Sequence, residues 1–243
     1  MFTEGFWDAA AKSGGFLLVC LGVFAGIFII ARTAQALIDR KYPDHNEIKG
    51  TRRVVMIGML SAVAFVLMIF EIPLPFAPSF YKIDLSEVPV MVGTFSMGPG
   101  AGVLIEFFKI LLKLVFRGTT TVFVGELANF AVGCSYLLPA GIIYYYRRTK
   151  KSALLALTAG TVSMTVFGSL FNAVYLLPRF AELYGLPLEQ IVAMGTEING
   201  NVNSVMTLVL FCIVPFNLLK GVLVLILTML IYKRISTVLK GRR

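Results

Sequence analysis

The sequence predicts an all-α integral membrane protein: a six-helix bundle preceded by one extra transmembrane helix at the N-terminus. Three observations lead there. Five apolar runs, at 16–36, 54–70, 122–146, 153–177 and 205–232, are each long enough to cross a bilayer, because a hydrocarbon core of about 30 Å takes roughly 20 apolar residues in a helix. A helix also satisfies its own backbone N–H and C=O groups, which lipid cannot do. The composition agrees: 58% of the 243 residues are hydrophobic, 14% are charged, and mean hydropathy is +0.84, far more apolar than an average soluble domain. Finally, most Lys and Arg residues fall in three clusters at the ends of these runs: Arg40, Lys41, Lys49, Arg52 and Arg53; Arg147, Arg148, Lys150 and Lys151; and Lys233, Arg234, Lys240, Arg242 and Arg243.

Taken in order, the first run follows a start that carries Glu4, Asp8 and a single Lys12, with no small-residue cleavage site after it. It therefore reads as a retained helix and not as a signal peptide. With its linker it forms residues 1–50, leaving 51–243 as the core. The run at 54–70 leads into 71–82, where Pro73, Pro75 and Pro78 predict an extended loop. Residues 87–97 and 100–116 then supply a pair of helices joined at Gly98-Pro99-Gly100, the first too short to span alone. The helices at 122–146 and 153–177 follow. A long segment at 178–203 contains Pro187, Gly185, Gly195 and Gly200 and one short helix at 188–194, before the last helix at 205–232. Long ordered loops of this kind commonly act as lids. With this count all three basic clusters share one side, which the positive-inside rule makes cytoplasmic. The predicted protein is a multi-pass bacterial cell-membrane protein with its N-terminus outside and C-terminus inside.

Composition also excludes functions. The net charge of +9 sits at helix ends and fits anionic lipid headgroups better than nucleic acid. Cys20, Cys134 and Cys212 are odd in number, far apart and within apolar runs, so neither disulfides nor a metal centre is expected. His45 is the sole histidine and lies in a charged linker, so no catalytic dyad or metal cluster is built from it. No catalytic residues are predicted. An intramembrane enzyme would need paired carboxylates or a Ser–Lys or Ser–His dyad. A secondary transporter would show inverted repeats, and none is evident.

What remains is a set of polar residues that a membrane should exclude. Asp84 and Glu87 open the short pair of helices; Glu126 and Asn129 begin the next helix; Asn172 ends the one after; Asn199, Asn201 and Asn203 precede the last; Asn217 and Lys220 lie within it, between Pro215 and Gly221. Glu126 and Asn129 are three apart and share a helix face, as do Asn217 and Lys220. Any one amide can equally bond a neighbouring helix. Together they form an outward-facing set of amides and one ammonium suited to a neutral, planar, hydrogen-bonding molecule. Glu106, Lys109 and Lys113 share another face, where internal ion pairing or snorkelling is expected. Tyr144–Tyr145–Tyr146 and Phe107–Phe108 read as interface belt and core.

The stretches KIDLSEVPVMVGTFSMGPGAGVLIEFFK (82–109), VGELANFAVG (124–133) and PFNLLKG (215–221) resemble the riboflavin-type S components of energy-coupling factor (ECF) transporters, over roughly residues 54–233. The resemblance implies a membrane subunit, without an ATPase of its own, that binds a vitamin from outside. It then docks on a transmembrane T component carrying two cytoplasmic ATPases and topples to release the ligand. The chain has no G-x-x-x-x-G-K-[ST] phosphate loop. The resemblance places Asn172 and Lys220 at the polar edge of a flavin ring, with Asn217, Glu126 and Asn129 at the ring or the ribityl hydroxyls. Asp84 joins this set, while Phe76, Phe80 and Tyr81 cover the ring. Gly58 and Ala62, with Ala64 nearby, correspond to small residues that dock on the T component. The extra helix at 16–36 departs from the family pattern and bears on that docking face. Riboflavin is the expected ligand, with no resident cofactor. Flavin mononucleotide is the alternative, for which Lys82, Arg117 and Arg179 are the available outer cations.

Overall fold

In a computed structural model, residues 14–43, 48–78, 81–119, 121 and 123–239 are described. Helices α1 (Gly14–Lys41) and α2 (Gly50–Ile69) come first. A small antiparallel ribbon follows, β1 (Ile72–Pro73) pairing with β2 (Lys82–Ile83), with Ile72 opposite Ile83. Next come α3 (Glu87–Met97), α4 (Pro99–Arg117), α5 (Val124–Arg147) and α6 (Lys150–Phe171). A π-helical turn, Asn172–Leu176, joins α6 to α7 (Leu177–Tyr184), and α8 (Leu188–Thr196) follows. A second π-turn, Val209–Ile213, joins α9 (Val205–Leu208) to α10 (Val214–Leu239).

Local chemistry explains these boundaries. Thr149 caps α6 by accepting from the Ser152 N–H, and Ser204 with Thr207 forms a reciprocal capping box on α9. The corner between α3 and α4 turns on Gly98, at φ +95°, with Pro99 pre-set for the first turn of α4. Pro215 has no N–H to give the preceding turn, and the chain widens into the Val209–Ile213 π-turn just before it.

Among the described residues, five helical stretches are long and apolar enough to cross a membrane: Leu18–Lys41, Gly50–Ile69, Val124–Arg147, Lys150–Glu182 and Val205–Tyr232. The 11 residues of α3 rise only about 16 Å. That helix lies almost wholly buried at the centre, packed on α2, α4, α5 and α10. The 19-residue α4 carries Glu106, Lys109, Lys113 and Arg117, and packs between α2, α3, α5 and α1. Exposed Leu18, Leu21, Ile29, Val54, Met59, Val115, Leu155, Val174 and Leu230 form the outward face, as lipid contact requires. The extra helix α1 packs on α4 and α5 through Phe24 and Phe28, which stack or meet edge-on with Phe107 and Phe130.

Two expectations are corrected. The segment 178–203 is mostly helical, because Pro178 falls in the first turn of α7, where its missing N–H has no intrahelical partner to lose. Ala64 is fully buried and stands apart from Gly58 and Ala62, which are both exposed on the outer face of α2.

Candidate functional site

At the end of the bundle opposite the basic clusters, a cavity of about 350 Å³ opens between α2, α4, α5, the π-turn after α6, and α10. It is lined by Asp84, Glu126, Asn129, Asn172, Asn217, Lys220 and Tyr81. Seven of the nine residues placed at a ligand by the sequence therefore converge on one space; Phe76 does not line it. Phe80 lies outside the described residues. Helical spacing accounts for two pairs: Glu126 with Asn129, and Asn217 with Lys220, each reach the cavity from one face of their helix.

The polar groups differ in how far they are already engaged. Tyr81 donates its hydroxyl to Asn172 Oδ1 at 2.7 Å, and Asn172 Nδ2 donates to the Gly168 carbonyl at 2.7 Å. That fixes the amide's orientation and leaves one N–H to spare. The Lys220 ammonium donates to Asp84 Oδ2 at 3.2 Å and stands 3.8 Å from Glu87 Oε1. Asp84 also accepts from the Ser86 N–H at 2.8 Å. Glu126 accepts from Thr119 and Thr121, at 2.9 and 3.2 Å, and pairs with Lys113 at 3.7 Å. By contrast, Asn217 is buried, and its Nδ2 has no hydrogen-bond partner. A buried donor left unpaired costs free energy, so this amide is poised for an acceptor brought by a ligand.

Beneath the pocket, Lys109 binds Glu106 Oε2 at 2.7 Å, Glu87 Oε1 at 2.9 Å and Ser86 Oγ at 3.2 Å. The expected internal ion pair of Glu106 and Lys109 is present. Lys113, expected on the same face, instead turns to Glu126.

Some features lay beyond the sequence reading. Asn199, Asn201 and Asn203 do not line the cavity; Asn199 Oδ1 accepts from the Asn201 N–H, and Asn203 bonds Thr207, so they serve the turn before α9. Phe76 packs with Tyr81, Leu177 and Ala181 and does not line the pocket. Phe180 and Phe216 do line it. Phe216 stands inside the PFNLLKG stretch beside Asn217, which was the available signal. Phe180 carried none, because its segment read as a loop.

Fold and site together define a multi-pass membrane protein whose helix bundle holds a small-molecule cavity at one end. The chain matches the family model for the ECF transporter substrate-specific component over residues 52–232, and it belongs to that family. A riboflavin transporter RibU of Staphylococcus aureus (strain TCH60) is 35% identical over 189 residues, 78% of this chain and 93% of the relative. A riboflavin transporter FmnP of Bacillus subtilis (strain 168) is 31% identical over 193 residues, 79% of this chain and 96% of the relative. A solved structure of the S component of a bacterial ECF transporter superposes with a TM-score of 0.62 at 36% identity, covering 79% of this chain and 99% of that one.

Proposed function

We propose that this chain is the riboflavin-binding subunit of an ATP-driven ECF importer. It captures the vitamin on the outer side and delivers it with a T component and two ATPases, having no ATPase of its own. The observation that carries the reading is the convergence of Asn172, Asn217, Lys220, Asp84, Asn129, Glu126 and Tyr81 on one cavity, with a buried Asn217 N–H left open for an acceptor. A flavin ring offers carbonyl acceptors along one edge and apolar faces on either side. The amide and ammonium groups suit the first, and Phe216 and Phe180 suit the second. The ribityl hydroxyls fall to Glu126 and Asn129. The basic clusters at the opposite end support a cytoplasmic C-terminus and an outward-facing pocket. The exposed Gly58 and Ala62 on α2 support docking of that face on the T component, since small residues allow close helix approach.

The purified chain should copurify yellow and quench flavin fluorescence on titration. Uptake in vesicles should require a T component and ATPases. Binding without uptake in their presence, or uptake in their absence, refutes the delivery scheme; no flavin quenching refutes the ligand. A second reading, flavin mononucleotide, is favoured by the basic groups Lys82, Lys113 and Arg117 on the cavity wall. Lys82 is held by Glu71 at 2.6 Å and Lys113 by Glu126, which leaves Arg117 as the readiest partner for a phosphate. Calorimetry with both flavins separates the two.

A further inference from the structure

The charges buried beneath the pocket do not balance. Asp84, Glu87 and Glu106 are buried, as are the two ammonium groups that reach them, Lys109 and Lys220. Fully ionised, these five buried side chains carry one surplus negative charge, and burial makes such a charge costly. Nearby cations are committed or remote: Lys113 pairs with Glu126, Lys82 with Glu71, and Arg117 is exposed at the cavity mouth.

The surplus localises on Glu87 and Glu106. Both carboxylates press on the same point above Gly133, where a Cβ would lie 2.5 Å from Glu106 Oε1 and 3.2 Å from Glu87 Oε1. Glu106 Oε1 and Glu87 Oε2 are buried with no hydrogen-bond partner. Around them stand Lys109 from α4, Asp84 and Ser86 from the turn before α3, Cys134 and Tyr136 from α5, and Lys220 from α10. The buried face of α2 is uncharged (Ile57, Ser61, Ala64 and Met68), and so are Phe24 and Phe28 of α1. Among the described residues no group of His, Cys, Asp and Glu is arranged to hold a metal ion. Two like carboxylates brought together in a dry site hold one proton between them.

We propose that Glu106 is a proton-binding site, its carboxyl protonated at neutral pH beside the Glu87 carboxylate, and that this proton is linked to occupancy of the pocket through Lys220. Lys220 lines the cavity while its ammonium reaches Asp84 and Glu87. A ligand carbonyl that draws the ammonium outward strips positive charge from Glu87, and Glu106 then holds its proton to higher pH. By reciprocity, ligand affinity falls as pH rises through the range where Glu106 loses that proton. The linkage rests on the flavin reading; the proton itself does not.

Infrared spectroscopy of the full chain in lipid, without ligand, tests the proton directly. The carbonyl band of a protonated carboxylic acid should be present at neutral pH and lost in both Glu106→Gln and Glu87→Gln. No such band in the parent, or an unchanged band in both variants, overturns the proposal. Calorimetric titration with riboflavin in two buffers of different ionisation enthalpy tests the linkage. At the alkaline pH where the infrared band of the unliganded parent is half lost, net proton uptake is expected in the parent and none in Glu106→Gln. Equal uptake in both, or none in the parent, overturns the linkage. Failure of riboflavin to bind the parent refutes the flavin reading and leaves the infrared result to decide the proton.

Discussion

Replacing Asn217 by leucine separates the cost of an unpaired donor from the gain of a ligand contact. The Asn217 residue is only 3% exposed, and its Nδ2 has no hydrogen-bond partner within the protein. A buried unsatisfied donor costs about 1–3 kcal/mol, so Asn217→Leu, close in volume, should leave the unliganded protein as stable as the parent or more so by up to that amount. If Nδ2 donates to a flavin carbonyl, the same substitution removes that bond and leaves the carbonyl unpaired in a dry pocket. Affinity should then fall by about 1–3 kcal/mol, roughly 5- to 150-fold. Thermal unfolding in detergent, with and without riboflavin, combined with a fluorescence-quenching titration, reads both quantities. The midpoint of the empty protein should hold or rise while the ligand-induced shift shrinks. Unchanged affinity removes Asn217 from the ligand contacts. A lower midpoint for the empty protein instead shows that the amide was holding α10 against α6, where Gly168 passes close to it.

Three further outcomes are expected. Lys220→Met should weaken flavin binding by about 1–3 kcal/mol and also destabilise the fold, because it leaves Asp84 buried without its ammonium. Adding Asp84→Asn should restore the thermal midpoint but not the affinity; a double variant that regains affinity would place Lys220 outside the ligand contacts. Gly133→Ala should lower the thermal midpoint by an amount equivalent to about 1–3 kcal/mol, since the new methyl meets two carboxylates held by Lys109; an unchanged midpoint would show that cluster to be loose. Gly58→Leu should leave flavin binding intact, because nothing lies within 4 Å of the added carbon, while reducing uptake in vesicles containing the T component and ATPases. Equal uptake by variant and parent refutes docking through α2.

The long apolar runs, the corner at Gly98-Pro99 and the two i,i+3 polar pairs were legible because each follows from local spacing. The partners of the buried charges were not. Lys220 meets Asp84, 136 residues earlier, and only the packing of α10 on α3 brings them together. Lys113 and Lys109 share a stripe on α4 yet diverge, one to Glu126 on α5 and the other to Glu87 and Glu106. Neither π-turn shows in periodicity, although both sit where a helix carries cavity-lining side chains: Asn172 opens the first, and the second precedes Pro215 and Asn217. Asn199, Asn201 and Asn203 misled because a polar residue before a helix serves a turn as readily as a pocket.

The position of α1 follows from what it covers and what it leaves open. Its inward face carries Phe24, Phe28, Ala31, Gln35 and Ile38, and these fill the groove between α4 and α5. Gln35 accepts from the Gly100 N–H at 3.2 Å, satisfying one of the first amides of α4 that no intrahelical carbonyl can reach. Its side chain also fills the space above Gly98, so any other residue at that corner would displace it. Lys41 lies over the Tyr146 ring at 5.1 Å and ties the last turn of α1 to the end of α5. Yet among the described residues α1 supplies none to the cavity lining, and Gly58 and Ala62 remain exposed on α2 beyond it. An added helix that masked the α2 face would conflict with docking there. One that instead closes the α4–α5 groove and buttresses the Gly98 corner is compatible with both a ligand entering at the far end and a partner seated on α2.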